Sequence, residues 1–365
     1  MAAMTEAPEA REIVRRAVAI VQERLPKGWS TDPVYEGAGR GGPGADAVVE
    51  ITGPDNAKVL LVLECKRSLV RRDLPALLQQ LADYSAAVPG ATLPVVVSQY
   101  LSSSVRGWLD KNDVSYIDAT GNLRLVSREP AVYLRDRGAD RDPWRGPGRP
   151  RGSLRGAPAA RVVRALADFR SPLPVTTLVS RSGASTGATY RVLDFLEEEA
   201  LIARGARGIV EEVRWRELLE RWSQDYGFQE SNEVKAFLQP RGLPALRTAL
   251  EERSDQFSYA VTGSMAAELW APYASVRLAM MYVKDVTVAA DLLGLREVDS
   301  GANVLLATPP KGAEVVFDRS STIEGITYAA ASQVAVDLLT GPGRNPAEGQ
   351  ALLDWMETNE LAWRN

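Results

Sequence analysis

Residues 135–157, RDRGADRDPWRGPGRPRGSLRGA, show no hydrophobic period and are dense in Arg, Gly and Pro. Such a run has little apolar surface to bury, and its glycines and prolines interrupt helix and strand alike. It reads as a linker. It therefore cuts the 365-residue chain into parts that must each build a core of their own. It is also the most basic stretch, with nine arginines against three aspartates between Arg135 and Arg164. The chain as a whole carries a net charge of −4, so attraction to a polyanion has to be local.

Ahead of the linker, residues 1–134 alternate helix and strand signals. Ile13, Val14, Ala17, Val18 and Val21 recur at helical spacing within 8–24. Strands are expected at 46–52, 58–66, 93–98, 115–118 and 123–126, with helices at 74–87 and 103–112. The order α-β-β-α-β-α-β predicts a mixed sheet with helices on its faces. The run VLLVL inside 58–66 is the unbroken apolar stretch of a strand buried on both sides.

Composition narrows the chemistry. There is no histidine and only one cysteine, Cys65. Serine or cysteine catalysis through a histidine base is excluded, as are an internal disulfide and a zinc site built on histidine or several cysteines. Any metal must be a hard cation on oxygen ligands, Mg²⁺ or Mn²⁺.

One pattern fits that restriction. Asp46 opens a strand, and Glu64 and Lys66 end the next, two residues apart and so on one face. Asp46 and Glu64 are the candidate metal ligands, with the cation polarising a phosphodiester and activating a water. Lys66 would orient that water or meet the charge of the transition state. Gln80 and Tyr84 stand four apart on the following helix, on one face. In this order the segment resembles the PD-(D/E)xK restriction-endonuclease-like superfamily, including its Gln-xxx-Tyr signature. The resemblance implies catalytic roles for Asp46, Glu64 and Lys66, with Gln80 and Tyr84 in support. Fold does not fix activity, and a scaffold retaining idle site residues is the alternative. Glu23 and Glu36 are candidates for a further acid.

Residues 158–232 read as three helices and a hairpin, the order of a winged helix. The third helix, 186–199, would enter a DNA major groove with Ser185, Thr186, Thr189, Tyr190 and Arg191 toward bases or phosphates. The hairpin 201–213 offers Arg204 and Arg207 to the backbone or minor groove. A winged helix used for protein contact is the other reading. In the linker, Gly148-Arg149-Pro150-Arg151-Gly152 resembles a partial AT-hook, whose arginines suit a narrow minor groove. A charged spacer explains Arg149 and Arg151 equally well.

The last part, 233–365, is expected to be α/β, with strands at 259–262, 279–283, 303–307 and 315–317. Thr262-Gly263-Ser264 resembles the glycine-serine turn of nucleotidyltransferase-like folds. The acid pair such an enzyme needs on its next strand is missing, because RLAMMYVKD has only Asp285, at its end. This part is therefore expected to be catalytically silent. Gly301-Ala-Asn-Val304, Asp337-Leu-Leu-Thr-Gly-Pro-Gly-Arg344 and Tyr116-Ile-Asp-Ala-Thr-Gly-Asn122, with the winged helix, resemble AbiEi-type regulators of type IV toxin–antitoxin loci. That resemblance implies operator binding and repression.

The fold expected is thus multidomain α/β: a restriction-endonuclease-like domain, a winged helix-turn-helix and a nucleotidyltransferase-like α/β domain. Three functions stand open at this stage. They are a DNA-binding transcriptional regulator, a Mg²⁺-dependent endonuclease targeted by the winged helix, and an antitoxin whose partner is a toxin protein. Double-stranded DNA is the expected ligand, and a symmetric operator would imply a homodimer. The opening MAAMTEAPEAREIV has no apolar core and no segment approaches membrane-span length, so a bacterial cytoplasmic, nucleoid-associated location without membrane contact is expected.

Overall fold

Helix α1 (Ala10–Arg24) buries Ile13, Val14, Ala17, Val18, Ile20 and Val21, the apolar stripe that its spacing predicts. Strands β1 (Ser30–Tyr35), β2 (Ala47–Thr52) and β3 (Lys58–Lys66) follow as an antiparallel meander. Helix α2 (Leu74–Ala87) returns the chain so that β4 (Thr92–Ser98) lies parallel to β3. Helix α3 (Ser103–Lys111) does the same for β5 (Ser115–Asp118), and β6 (Leu123–Ser127) and β7 (Val132–Asp136) close the sheet antiparallel. Spatial order is sequence order, β1 to β7. The computed structural model describes residues 8–35, 45–140, 142–144, 153–253 and 255–365, and divides near residue 150 into two units.

The sheet of the first unit is covered on both faces, which is why β3 is apolar throughout its middle. Leu61, Leu63 and Cys65 pack on the α1 side. Val62, Val96 and Tyr116 pack with Leu74, Leu77 and Leu81 of α2 and Val105 and Leu109 of α3 on the other side. Strands β1 and β7 were not expected. Each pairs on one side only, and Pro33 is tolerated in β1 because an edge strand leaves its outer donors unused.

The linker is shorter than its composition suggests. Arg135 and Asp136 belong to β7, Trp144 packs on the α1-side core, and Leu154 is fully buried in the second unit. Arg149 and Arg151, and the AT-hook reading with them, lie outside the described residues.

The second unit opens with α4 (Ala157–Asp168), α5 (Val175–Ser182) and α6 (Thr186–Glu198). A hairpin of β8 (Ile202–Arg204) and β9 (Val210–Val213) follows, and Leu173 adds a bridge to Val210. Next come α7 (Trp215–Trp222), β10 (Glu233–Leu238), α8 (Leu243–Arg253), β11 (Tyr259–Thr262), α9 (Gly263–Ala267), β12 (Ala279–Val283) and α10 (Val286–Leu293). The chain ends with β13 (Arg296–Glu297), β14 (Val304–Thr308), β15 (Ser321–Ile323), β16 (Ile326–Tyr328), α11 (Ala331–Leu339), α12 (Asn345–Thr358) and α13 (Glu360–Trp363). Its sheet runs β13-β10-β14-β12-β11-β16-β15 with mixed polarity.

The boundary expected at residue 232 falls inside one core. Leu166, Trp222 and Phe228 share it with Tyr282, Val334 and Leu353. The strand expected at 315–317 is instead a short 3₁₀ turn, Glu314–Phe317. The Val315 carbonyl accepts from the Arg164 side chain rather than from a neighbouring strand. The chain is thus mixed α/β with two seven-stranded sheets. Among the described residues, no helix is long and apolar enough to cross a membrane.

Candidate functional site

Register alone brings Asp46 to Glu64. Ala47 faces Leu63 across the β2–β3 ladder, so one further step sets Asp46 opposite Glu64. The Asp46 amide donates to Leu63 O at 3.1 Å, and Asp46 Oδ2 accepts the Cys65 amide at 2.7 Å. Helix α2 turns Leu74, Leu77 and Leu81 inward and presents Gln80 beside them. Gln80 Nε2 donates to Glu64 Oε1 at 3.0 Å and to the Tyr84 hydroxyl at 2.6 Å. Lys66 Nζ reaches the same Glu64 Oε1 at 2.8 Å. The structure therefore brings together Asp46, Glu64, Lys66, Gln80 and Tyr84.

The cluster is left unfinished at one atom. Glu64 is only 4% exposed, and its Oε2 is buried without any partner among the described residues. Burial pushes the Glu64 carboxyl above its ordinary range and the Lys66 hydrogen bond opposes this; the Asp46 charge adds to the rise. Lys66 is held above its usual value first by its hydrogen bond to Glu64. Between them, burial and the flanking carboxylates push the Cys65 thiol up to about 12, so it is no nucleophile at neutral pH.

An orphaned carboxylate oxygen opposite a second carboxylate suits a divalent cation. Asp46 and Glu64 would hold it, with water and phosphate oxygens completing the shell. Among the described residues no group of three or more acidic, histidine or cysteine side chains is placed to bind a metal, so Asp46 and Glu64 are the two carboxylates offered there. Glu23 is paired with Arg24 on α1, which packs on the opposite face of the sheet from Glu64. Glu36 lies outside the described residues.

Two further features sit at this sheet edge. Lys66, Ser98 and Asp118 stand in register across β3, β4 and β5. Asp118 looks like a third acid but is fully spent. It accepts from the Leu101, Thr120 and Asn122 amides, from the Thr120 hydroxyl and from the Asn122 side-chain amide. The Asp118–Asn122 turn is thus a brace. It also receives the Gly138 amide at Asn122 Oδ1, and a Cβ at Gly138 would lie 2.4 Å from Thr120 O. Arg67 and Arg72 are exposed just beyond Lys66, a run of cations visible in the sequence but not singled out there.

In the second unit, α6 buries Ala188, Val192, Leu193, Phe195 and Leu196. Its outward side carries Thr186, Tyr190 and Arg191, with exposed Ser185 just before it. Tyr190 is 43% exposed, high for a large ring. Thr189 is not part of that side. It is fully buried, and its hydroxyl donates to Ser185 O at 3.1 Å. Arg204 is not available either, because Asp194 and Glu197 hold its guanidinium. Arg207 is exposed at the hairpin tip, in a left-handed conformation at φ 62°.

The glycine-serine turn is closed by protein groups. Gly263 has φ 65°, and a Cβ there would meet Met280 Sδ at 2.7 Å. The Ser264 hydroxyl donates to Glu348, a carboxylate 3% exposed and paired with Arg344 at 2.9 Å. A buried carboxylate there would repel an anion. Asp285 caps α10 by accepting from the Val288 amide at 3.0 Å.

Asp337 is another fully buried carboxylate, and no local sequence pattern announces it. Its Oδ1 accepts from Tyr282 at 2.7 Å, Gln333 at 2.9 Å and Tyr226 at 3.1 Å, and its Oδ2 accepts from Thr262 at 2.6 Å. Burial pushes it up to about 6 while the four donors pull it down. Neither a scan against protein-family models nor a search of curated proteins returns a match to this chain.

Proposed function

We propose that the chain is a DNA-binding regulator that reads duplex DNA with α6. The order α4-α5-α6-β8-β9, with the Leu173–Val210 bridge, supports a winged helix. The observation that carries the reading is the division of α6. One side is buried and apolar but for Thr189, while the other leaves Thr186, Tyr190 and Arg191 standing in solvent near the helix N-terminus. Exposed hydroxyls and a guanidinium at the start of a recognition helix suit base edges and phosphates. Ser185 and Arg207 would extend the contact. Thr189 and Arg204 support the helix from inside and from the side. The resemblance to AbiEi-type regulators agrees with repression at an operator, and with a silent nucleotidyltransferase-like remainder whose phosphate turn is filled by Glu348.

Selection of duplexes from a randomised pool tests this. A recurrent site should be enriched, and Arg191→Ala should bind it about tenfold more weakly, within the range of ~1–3 kcal/mol for a good base contact. A pool that enriches no sequence would overturn the reading.

The orphaned Glu64 Oε2 favours a second reading, in which the first unit is a restriction-endonuclease-like domain holding Mg²⁺ or Mn²⁺ on Asp46 and Glu64. The cation would supply charge to a phosphodiester. Lys66 would stand beside the attacked phosphate, and Gln80 would keep Glu64 in place. Metal-dependent nicking of plasmid DNA, lost in both Asp46→Ala and Lys66→Ala, is the expected result. Equal nicking by wild type and variants would remove it.

A further inference from the structure

We propose that a cleft in the second unit, beneath the first turn of α4, is a binding site for a small aromatic amine. The cleft encloses about 300 Å³, within the range of small-ligand pockets. Its walls are mainly apolar, from Leu154, Ala157, Ala160, Val315 and Val316. Trp222 and Tyr226 also line it, their rings 4.8 Å apart and inclined by 31°. A flat body fits such walls, and a cation beside these rings gains from their π faces.

The polar groups decide the chemistry: Gln333 and Asp225 are matched within the protein, and what stays open is the Asn232 amide oxygen, the Ser231 hydroxyl proton and Glu230. Gln333, at the floor, gives its Nε2 to Asp337, Tyr226 and Tyr282 and takes Arg164 on its Oε1. Asn232 gives its Nδ2 to Phe228 O at 2.8 Å and to Tyr226 at 3.3 Å, which leaves its amide oxygen. Asp225 is matched by the Leu154 amide at 2.8 Å, Arg221 at 2.7 Å and Arg155 at 3.8 Å.

Glu230 is different. It lines the cleft, and among the described residues no hydrogen bond or ion pair engages its carboxylate. A Cβ at Gly227 would fall 2.0 Å from Glu230 Oε2, so this carboxylate lies directly over the backbone next to Tyr226. With Arg155 facing Asp225, the cleft therefore offers one unmatched negative charge, one amide oxygen and one hydroxyl beside two aromatic rings. A ligand with N–H donors, a positive charge and a flat apolar body completes it. An anion of the same shape would meet Glu230 unfavourably.

The site is wired to α4. Arg164 of that helix bonds both the floor residue Gln333 and the wall carbonyl of Val315. Arg161, one turn earlier, bonds Gly183 O at 3.3 Å in the turn before α6.

Titration calorimetry on the full chain tests the proposal, with tryptamine as the probe and indole-3-acetate as its anionic counterpart. Tryptamine should bind one to one, and indole-3-acetate at least about tenfold more weakly. Glu230→Gln changes an exposed side chain and should melt like wild type while losing about tenfold in tryptamine affinity. Ala157→Leu should abolish binding by filling the cleft. No saturable heat with tryptamine, equal affinity for the two probes, or an unchanged affinity in Glu230→Gln would each overturn it.

Discussion

Glu64 and Asp337 are both buried carboxylates, and they have been treated in opposite ways. Asp337 has four donors on its two oxygens, from β11, β12, α11 and the segment after α7. Every lone-pair direction that matters is taken, and the cluster pins three elements of the core together. Glu64 has two donors on one oxygen and none on the other. A buried polar atom left open costs stability, and in the proposed metal-binding reading a cation between Asp46 and Glu64 would offset that cost. The finished network reads as structure, and the unfinished one is where the proposed cation would sit.

The comparison breaks first at Asp337→Ala. That change removes the acceptor shared by Thr262, Tyr226, Tyr282 and Gln333, and a loss of about 3–5 kcal/mol in urea unfolding is expected. A loss under about 1 kcal/mol would show that the network does not hold the core.

The second test is pH. Asp337 is pushed up to about 6 in the folded chain, against an ordinary 3.8. Between those values the folded state binds more protons than the unfolded state. The contribution of this group to stability is therefore fullest below about pH 4 and declines as pH rises to about 6. About two units correspond to about 3 kcal/mol. Asp337→Asn keeps an acceptor for the tyrosines and should flatten that slope in unfolding measured from pH 4 to 7. An unchanged slope would place the titration elsewhere.

At Glu64 the expected stability effect is smallest. Glu64→Gln removes a desolvated charge and should leave unfolding free energy within about 1 kcal/mol of wild type at pH 7. It should nevertheless abolish Mn²⁺ binding seen by electron paramagnetic resonance. A large stability loss with no metal binding in the wild type would make Glu64 a second structural carboxylate and erase the contrast.

Much of the first unit was legible in sequence because a strand repeats every two residues. That period placed Glu64 and Lys66 on one face, and the Gln80–Tyr84 spacing placed both on the side of α2 that meets them. Edge strands were not legible. Ser-Thr-Asp-Pro-Val-Tyr in β1 carries no apolar alternation, and neither face of it is fully buried. Thr189 lies in the first turn of α6 and so reads as a contact residue in the sequence, yet helical phase puts it inward with Ala188 and Val192. Arg204 depended on partners seven and ten residues away that no local pattern announces. The Asp337 network was invisible for the same reason, because its donors come from four separate segments.

The central claim is that the open side of α6 binds duplex DNA, and a salt series of fluorescence anisotropy on the enriched duplex tests it most directly. Affinity should fall steeply as salt rises, as displaced counterions require. Arg191→Ala should bind about tenfold more weakly at fixed salt, while Glu230→Gln should follow the wild-type curve. An Arg191→Ala curve that overlies wild type, or no binding even at low salt, would contradict the account.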